Sequence, residues 1–345
     1  MTLWQWARAT FTDEFVANIL LHVAFRYRNN PRAIGPTEAE APSLYSGDLA
    51  AFFGSAPEIP ALPPAGPPRW SSPLWTVHDA SLPSQDPSGW PDSDRIWIRR
   101  WIPTPEALET APQPVPQRTL IGIHGIVQRG TRWFNWLADR LAPQGIEILT
   151  VDSPFNYRRA PKGYFPGQLI LGGDLGHQLQ VTRQAVRDTW SIVRAVQAEG
   201  RSTGLVGVSY GGFISLLTSL LADQLDLVVA VTPPVNTLRL LEEGGTLIRA
   251  VRMGLGKDRL DLNRLNDLVA PIVPQRHQPK LPGDRIHLHI ARYDRFVKAD
   301  HIRELATLWG TRTSEYPEGH YSVTMQPTLI APLAQNLLDL WNLPH

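Results

Sequence analysis

Glycine stands two places before and two places after Ser209, in Gly207-Val208-Ser209-Tyr210-Gly211-Gly212. The apolar pair Leu205-Val206 precedes this stretch and Phe213-Ile214-Ser215-Leu216-Leu217 follows it, which reads as a strand, a sharp turn and an apolar helix. A serine held at such a turn takes strained backbone angles, and side chains two residues to either side would collide with neighbouring backbone. What the turn supplies is an exposed hydroxyl at the start of a helix, where backbone N–H groups can meet a developing oxyanion. Such a hydroxyl is a weak nucleophile until a histidine takes its proton and a carboxylate orients that histidine.

An acid and then a histidine are therefore expected further along, each just after a strand. Arg285-Ile286-His287-Leu288-His289-Ile290-Ala291 has β-branched alternation, and Asp294 follows it. Thr313-Ser314-Glu315-Tyr316 reads as a short strand, and the turn Pro317-Glu318-Gly319-His320 presents His320 on a loop. The alternatives are a surface role for Asp294 between Arg292 and Arg295, and His301 in place of His320. His301 falls in the helical pattern Asp300-His301-Ile302-Arg303-Glu304-Leu305, and Thr232-Pro233-Pro234, after the strand Leu227–Val231, offers no carboxylate.

The serine, acid, histidine order and its strand contexts resemble the α/β-hydrolase superfamily of serine esterases and lipases. Ile121-Gly122-Ile123-His124-Gly125 is similar to that family's strand entering a His-Gly oxyanion loop, and Gly145 to Pro154 to its next strand. The stretch Pro154–Lys162 has a fainter similarity to the α/β-hydrolase domain-containing protein 18 type. Residues 95 to 342 carry the resemblance. It implies a mostly parallel central sheet with helices on both faces. It also implies Ser209 as nucleophile, Asp294 as acid and His320 as base, with the backbone N–H groups of Ile126 and Tyr210 lining the oxyanion hole. Gly207 and Gly211 then shape the elbow, Gly125 the oxyanion loop, and His124 packs or hydrogen-bonds within that loop. The reaction expected is cleavage of a small carboxylic ester. Amide or thioester cleavage and acyl transfer use the same residues, and a non-catalytic binding protein of the same fold is the contrasting class.

His287 and His289 share one side of a strand, the spacing of two metal ligands, but no third ligand follows by spacing. No metal is expected. Zero cysteines exclude thiolate sites, disulfides and a cysteine nucleophile. No Walker loop or dinucleotide fingerprint occurs, so no cofactor is indicated. A net charge of +1 over 345 residues gives no electrostatic case for nucleic acid.

Residues 1 to 94 are expected to form an N-terminal helix and a wrapping arm rich in proline and tryptophan, and 95 to 345 the α/β domain, with a helical cap insertion at about 233 to 283. Trp4, Phe11, Phe15, Ile19 and Leu20 lie near one face of the first helix. That face is expected to pack on the body or on a second subunit; contact with a membrane surface through residues 1 to 30 is the alternative, and the oligomeric state stays open. Residues 1 to 30 hold no residue type placed for acyl chemistry. Asp13 and Glu14 precede a short apolar run with no small-residue cleavage site after it, which argues against a signal peptide and for a cytoplasmic protein.

Overall fold

The computed structural model describes residues 3–26, 36–109, 111, 118–127, 131–172, 174–243, 245, 262–325 and 329–343. The apolar runs of the chain form one sheet of nine strands in the order β1-β2-β3-β5-β4-β6-β7-β8-β9. These are β1 (Trp70–Ser71), β2 (Trp75–Pro83), β3 (Arg95–Pro103), β4 (Arg118–Ile123), β5 (Ile146–Val151), β6 (Ser202–Val208), β7 (Leu227–Val231), β8 (Ile286–Ala291) and β9 (Arg312–Tyr316). β1, β2 and β3 join antiparallel and β3 meets β5 antiparallel, whereas β5 through β9 pair in parallel.

Parallel strands covered on both faces read as continuous apolar runs, because successive side chains point to opposite layers. β6 shows this: Leu205 enters one core and Val206 the other, and both are fully buried. The helices Leu175–Ala198, Tyr210–Ser219 and Ala299–Trp309 cover one face, and Arg132–Leu141 and Ile330–Trp341 the other. The strand order turns back at β4, which lies between β5 and β6 with Ile123 opposite Gly207. Ligand crevices open at such reversals, beyond the carboxyl ends of the strands. The loop after β4 and the Ser209 turn after β6 therefore leave the sheet side by side.

The sheet starts earlier than the sequence division at 95 suggests. β2 lies inside the expected arm and pairs with β3 along its whole length, from Trp75 opposite Pro103 to Pro83 opposite Arg95. Its Trp75 indole donates to Asp139 Oδ1 at 2.8 Å, and the Trp101 indole of β3 donates to Asn135 Oδ1 at 2.9 Å. Residues 42 to 57 do lie along the body: Phe52 and Phe53 are fully buried, and Arg187 and Arg194 of the long helix donate to the carbonyls of Phe53, Ser55 and Pro57.

The N-terminal helix, Leu3–Arg26, docks through a different face from the one expected. Trp4, Phe11, Phe15 and Ile19 are 70, 72, 56 and 47% exposed. Of the expected face only Leu20 is buried, and Ala9, Asp13 and Ala17 are buried beside it. Small side chains let the helix axis come close: a methyl built on Gly319 would stand 2.9 Å from the Ala9 carbonyl. A row of tryptophan and phenylalanine could not approach so far, and polar contacts of Asp13 complete the docking. Among the described residues no helix is long and apolar enough to cross a membrane. Within the expected cap insertion at about 233 to 283, residues 246 to 261 lie outside the described residues; Thr237–Glu243 and Leu262–Leu268 on either side of them are helical.

Candidate active site

Ser209 sits between β6 and the helix Tyr210–Ser219 at φ 53° and ψ −120°, a positive-φ conformation that costs a non-glycine residue energy. The surroundings enforce it. The Ser209 amide donates to Val231 O at 2.7 Å, and its carbonyl accepts from Phe213 N at 3.0 Å. The flanking glycines are required by close approach: a Cβ on Gly207 would lie 2.2 Å from Gly211 O, and one on Gly211 2.1 Å from Ile123 O.

Asp294 follows β8 and His320 follows β9, and the turns after these two parallel strands bring both to Ser209. His320 Nδ1 lies 2.6 Å from Asp294 Oδ2, and His320 Nε2 lies 2.8 Å from Ser209 Oγ. With the proton on Nδ1, the ring donates to the carboxylate and accepts from the hydroxyl. The second oxygen of Asp294 accepts from Phe296 N at 2.8 Å and Val297 N at 2.7 Å, which fixes the plane of the carboxylate. Burial opposes a charge on His320, but attraction and hydrogen bonding from Asp294, with attraction from Asp13, outweigh it and raise its pKa above that of an ordinary histidine.

The loop after β4 abuts this serine. A Cβ on Gly125 would stand 3.5 Å from Ser209 Cβ, so the backbone entering Ile126 passes beside the hydroxyl. Tyr210 opens its helix, so its N–H has no acceptor within that helix and is available at the turn. Gly125 O accepts from Asn156 Nδ2 at 3.0 Å and lies 3.0 Å from His124 Nδ1, while His124 Nε2 is 3.5 Å from Asp152 Oδ1. His124 is thus buried inside the loop and held by polar neighbours. Asn156 is a further loop-holding residue, and its place two residues beyond Pro154 carries no sequence signal of that task.

No protein-family model and no curated protein matches the chain. Among solved structures, acetyl xylan esterase 1 from Thermoanaerobacterium sp. JW/SL YS485 is similar, with a TM-score of 0.61 at 16% identity, covering 93% of this chain and 99% of that one. A peroxisomal α/β-hydrolase from Saccharomyces cerevisiae is similar with a TM-score of 0.51 at 12% identity, over 79% and 92% of the two chains. The chain has the α/β-hydrolase fold. The Pyrococcus horikoshii acylaminoacyl peptidase also shares it, with a TM-score of 0.54 at 13% identity, over 78% of this chain and 42% of the peptidase.

Within this α/β-hydrolase fold, the other histidines singled out from the sequence stand apart from Ser209. His301 is buried in the helix Ala299–Trp309 with Nε2 3.2 Å from Glu243 Oε2. His287 and His289 stack on the face of β8 that meets the last helix. His287 Nε2 lies 2.8 Å from Ser314 Oγ, His289 Nδ1 lies 2.9 Å from Tyr316 Oη, and Asn336 Nδ2 reaches both rings. Burial, with Arg312 nearby, pushes His287 down to about 4, and burial pushes His289 down as well. Among the described residues no group of three or more histidine, aspartate or glutamate side chains is placed to hold a metal ion.

The residue that sequence reasoning missed is Asp13. Its carboxylate, fully buried, accepts from His320 N at 2.9 Å, Tyr321 N at 3.0 Å and Arg295 N at 3.1 Å. The N-terminal helix thus brings a carboxylate to the backbone of the Asp294 and His320 loops, a contact that the sequence reading of residues 1 to 30 did not include.

Proposed function

We propose that the protein is a serine hydrolase that cleaves carboxylic esters through an acyl-enzyme. The observation that carries this reading is the continuous line of hydrogen bonds from Asp294 through His320 to Ser209, ending on a serine in a strained turn. Ser209 Oγ attacks the ester carbonyl carbon as its proton passes to His320 Nε2, and Asp294 stabilises the resulting imidazolium. Negative charge gathers on the carbonyl oxygen, toward the Ile126 and Tyr210 amides. The bond to the alkoxide breaks as His320 hands the proton to it. Water then gives a proton to His320 and attacks the acyl carbon; the acid departs and Ser209 recovers its hydrogen. The acetyl xylan esterase, matched over nearly the whole of both chains, favours ester over amide as the substrate class.

A fluorophosphonate probe tests the reading. Wild type is expected to label and Ser209→Ala is not. No labelling of either sinks the enzyme and leaves a binding protein of the same fold. A panel of p-nitrophenyl esters beside matched anilides then reads the leaving group. Turnover of anilides without esters would move the assignment to amides.

The direction of the His320 shift gives a pH prediction. The base must be neutral to accept the serine proton, so kcat/KM rises with pH through one ionisation. Because the folded protein favours the imidazolium, the midpoint lies above the ordinary histidine value of about 6.5. An acid limb centred below that value in a kcat/KM profile would contradict the assignment of His320.

A further inference from the structure

We propose that Asp13 is a positioning residue for the base, and that the N-terminal helix is thereby a working part of the active site. The proposal rests on the reading of His320 as the base and concerns what holds that base in place.

The carboxylate reaches across 307 positions of sequence to the backbone N–H of His320 itself. Oδ2 takes the His320 and Arg295 amides, and Oδ1 takes the Tyr321 amide. One side chain thus joins the loop carrying Asp294 to the loop carrying His320, which come from different strands. The fit is close: a Cβ on Gly319 would stand 2.7 Å from Asp13 Oδ2, so glycine before the base makes room for this carboxylate. Two ion pairs flank it. Arg8 pairs with Glu318 of the histidine loop, and Arg295 Nη2 lies 3.3 Å from Glu14 Oε1. Two turns of one helix, at Arg8 and at Asp13–Glu14, are therefore tied to the two loops.

Placement has a chemical consequence. The groups facing His320 are Ser209, Asp294, Asp13 and the rings of Phe296 and Tyr321, with Arg8–Glu318 and Arg295–Glu14 outside them. Among the described residues two carboxylates, Asp294 at the ring and Asp13 at the backbone N–H, and no cation's head group stand at hydrogen-bond distance from His320. A charge at Asp13 favours the imidazolium that forms as Ser209 loses its proton, and it does so without contacting substrate. Asp13 is itself pushed up by burial and by repulsion from Asp294, the mark of an acid retained in a place where a carboxylate is costly to keep.

The test uses the full chain. Asp13→Asn keeps the shape but sets an NH2 group against backbone N–H donors and removes the charge. We expect kcat to fall by roughly 10- to 100-fold, the range of a loosened catalytic constellation, with KM within about 2-fold. We expect the acid limb of kcat/KM to move to lower pH. Phe11→Ala, on the exposed face of the same helix, should change neither. The His320 ring is followed by NMR titration in the Ser209→Ala background, where no turnover is required. There Asp13→Asn should lower the imidazole midpoint, and Asp13→Glu should return it toward wild type. If Asp13→Asn fails to fold, the Glu variant is read alone. Its charge should leave the midpoint near wild type, while the extra methylene displaces the loop and lowers kcat.

An unchanged kcat and an unchanged His320 midpoint in a folded Asp13→Asn protein would overturn the proposal and leave a packing contact. So would a Glu variant with wild-type kcat. A wild type that neither labels nor turns over, but whose His320 midpoint still responds to Asp13, would remove the hydrolase reading while keeping Asp13 as the group that positions this histidine.

Discussion

Ser209→Ala and His320→Ala are each expected to lower kcat/KM by roughly three to six powers of ten, because the residues of such a unit lose most of their effect together. The double variant should be hardly worse than either single one. Each replacement breaks the same line of proton transfer: without Oγ nothing attacks, and without the imidazole nothing takes the proton. Asp294→Asn should cost about four powers of ten, since an amide can hold the ring but cannot stabilise the imidazolium. Its Oδ1 would still accept from Phe296 and Val297, so the turn after β8 should persist and the loss should fall on kcat. Circular dichroism and thermal melts separate chemistry from unfolding, and single-turnover rates with an activated ester give the magnitude. Near-normal turnover in a folded His320→Ala protein would remove the base. His301 would then have to leave Glu243, 3.2 Å away, to replace it.

The turn at Ser209 was legible because its cause is local. Gly207 is forced by a backbone contact within the strand-turn-helix unit and Gly211 by the end of the adjacent strand β4, so the glycines announce it. Asp294 and His320 could be placed because each follows a short strand, and β8 and β9 run parallel with their ends at the same edge of the sheet. Asp13 was not legible. A lone aspartate on a helix rich in aromatics reads as part of a solvated face, and the amides it meets are some 300 positions away. The available signal was the spacing Ala9-Asp13-Ala17, a narrow stripe at four-residue intervals that only a closely docked helix requires. Strand β2 was hidden for another reason: the prolines around residues 57 to 68 coloured the whole segment as arm, although Trp75, Val77 and Leu82 are all buried.

Arg159→Met is expected to destabilise the protein by about 3–5 kcal/mol, the cost of leaving a buried ionic partner alone. Arg159 and Asp188 are wholly enclosed and their Nη2 and Oδ2 atoms lie 2.7 Å apart. The same guanidinium donates to the carbonyls of Asp152 and Ser93, so it joins the turn after β5 to the residues preceding β3 and to the long helix. Burial already pushes the Asp188 carboxyl up despite this pairing. Without Arg159 it would take up a proton rather than stay charged, which limits the loss, although Ser84 Oγ and Gln85 N would keep their bonds to Oδ1. Arg159→Lys retains the charge but not the planar fork that serves three acceptors, and should fall between Met and wild type. Arg159→Met with Asp188→Asn should recover part of the loss, because the orphaned acid is gone. Activity should drop beyond the folded fraction. The turn that Arg159 holds carries Asn156, which donates to Gly125 O in the loop beside Ser209. Denaturant midpoints with labelling rates of the folded protein test both parts. A Met variant as stable as wild type would show that packing, not the guanidinium, holds this turn. Full activity per folded molecule would separate the turn from the oxyanion loop.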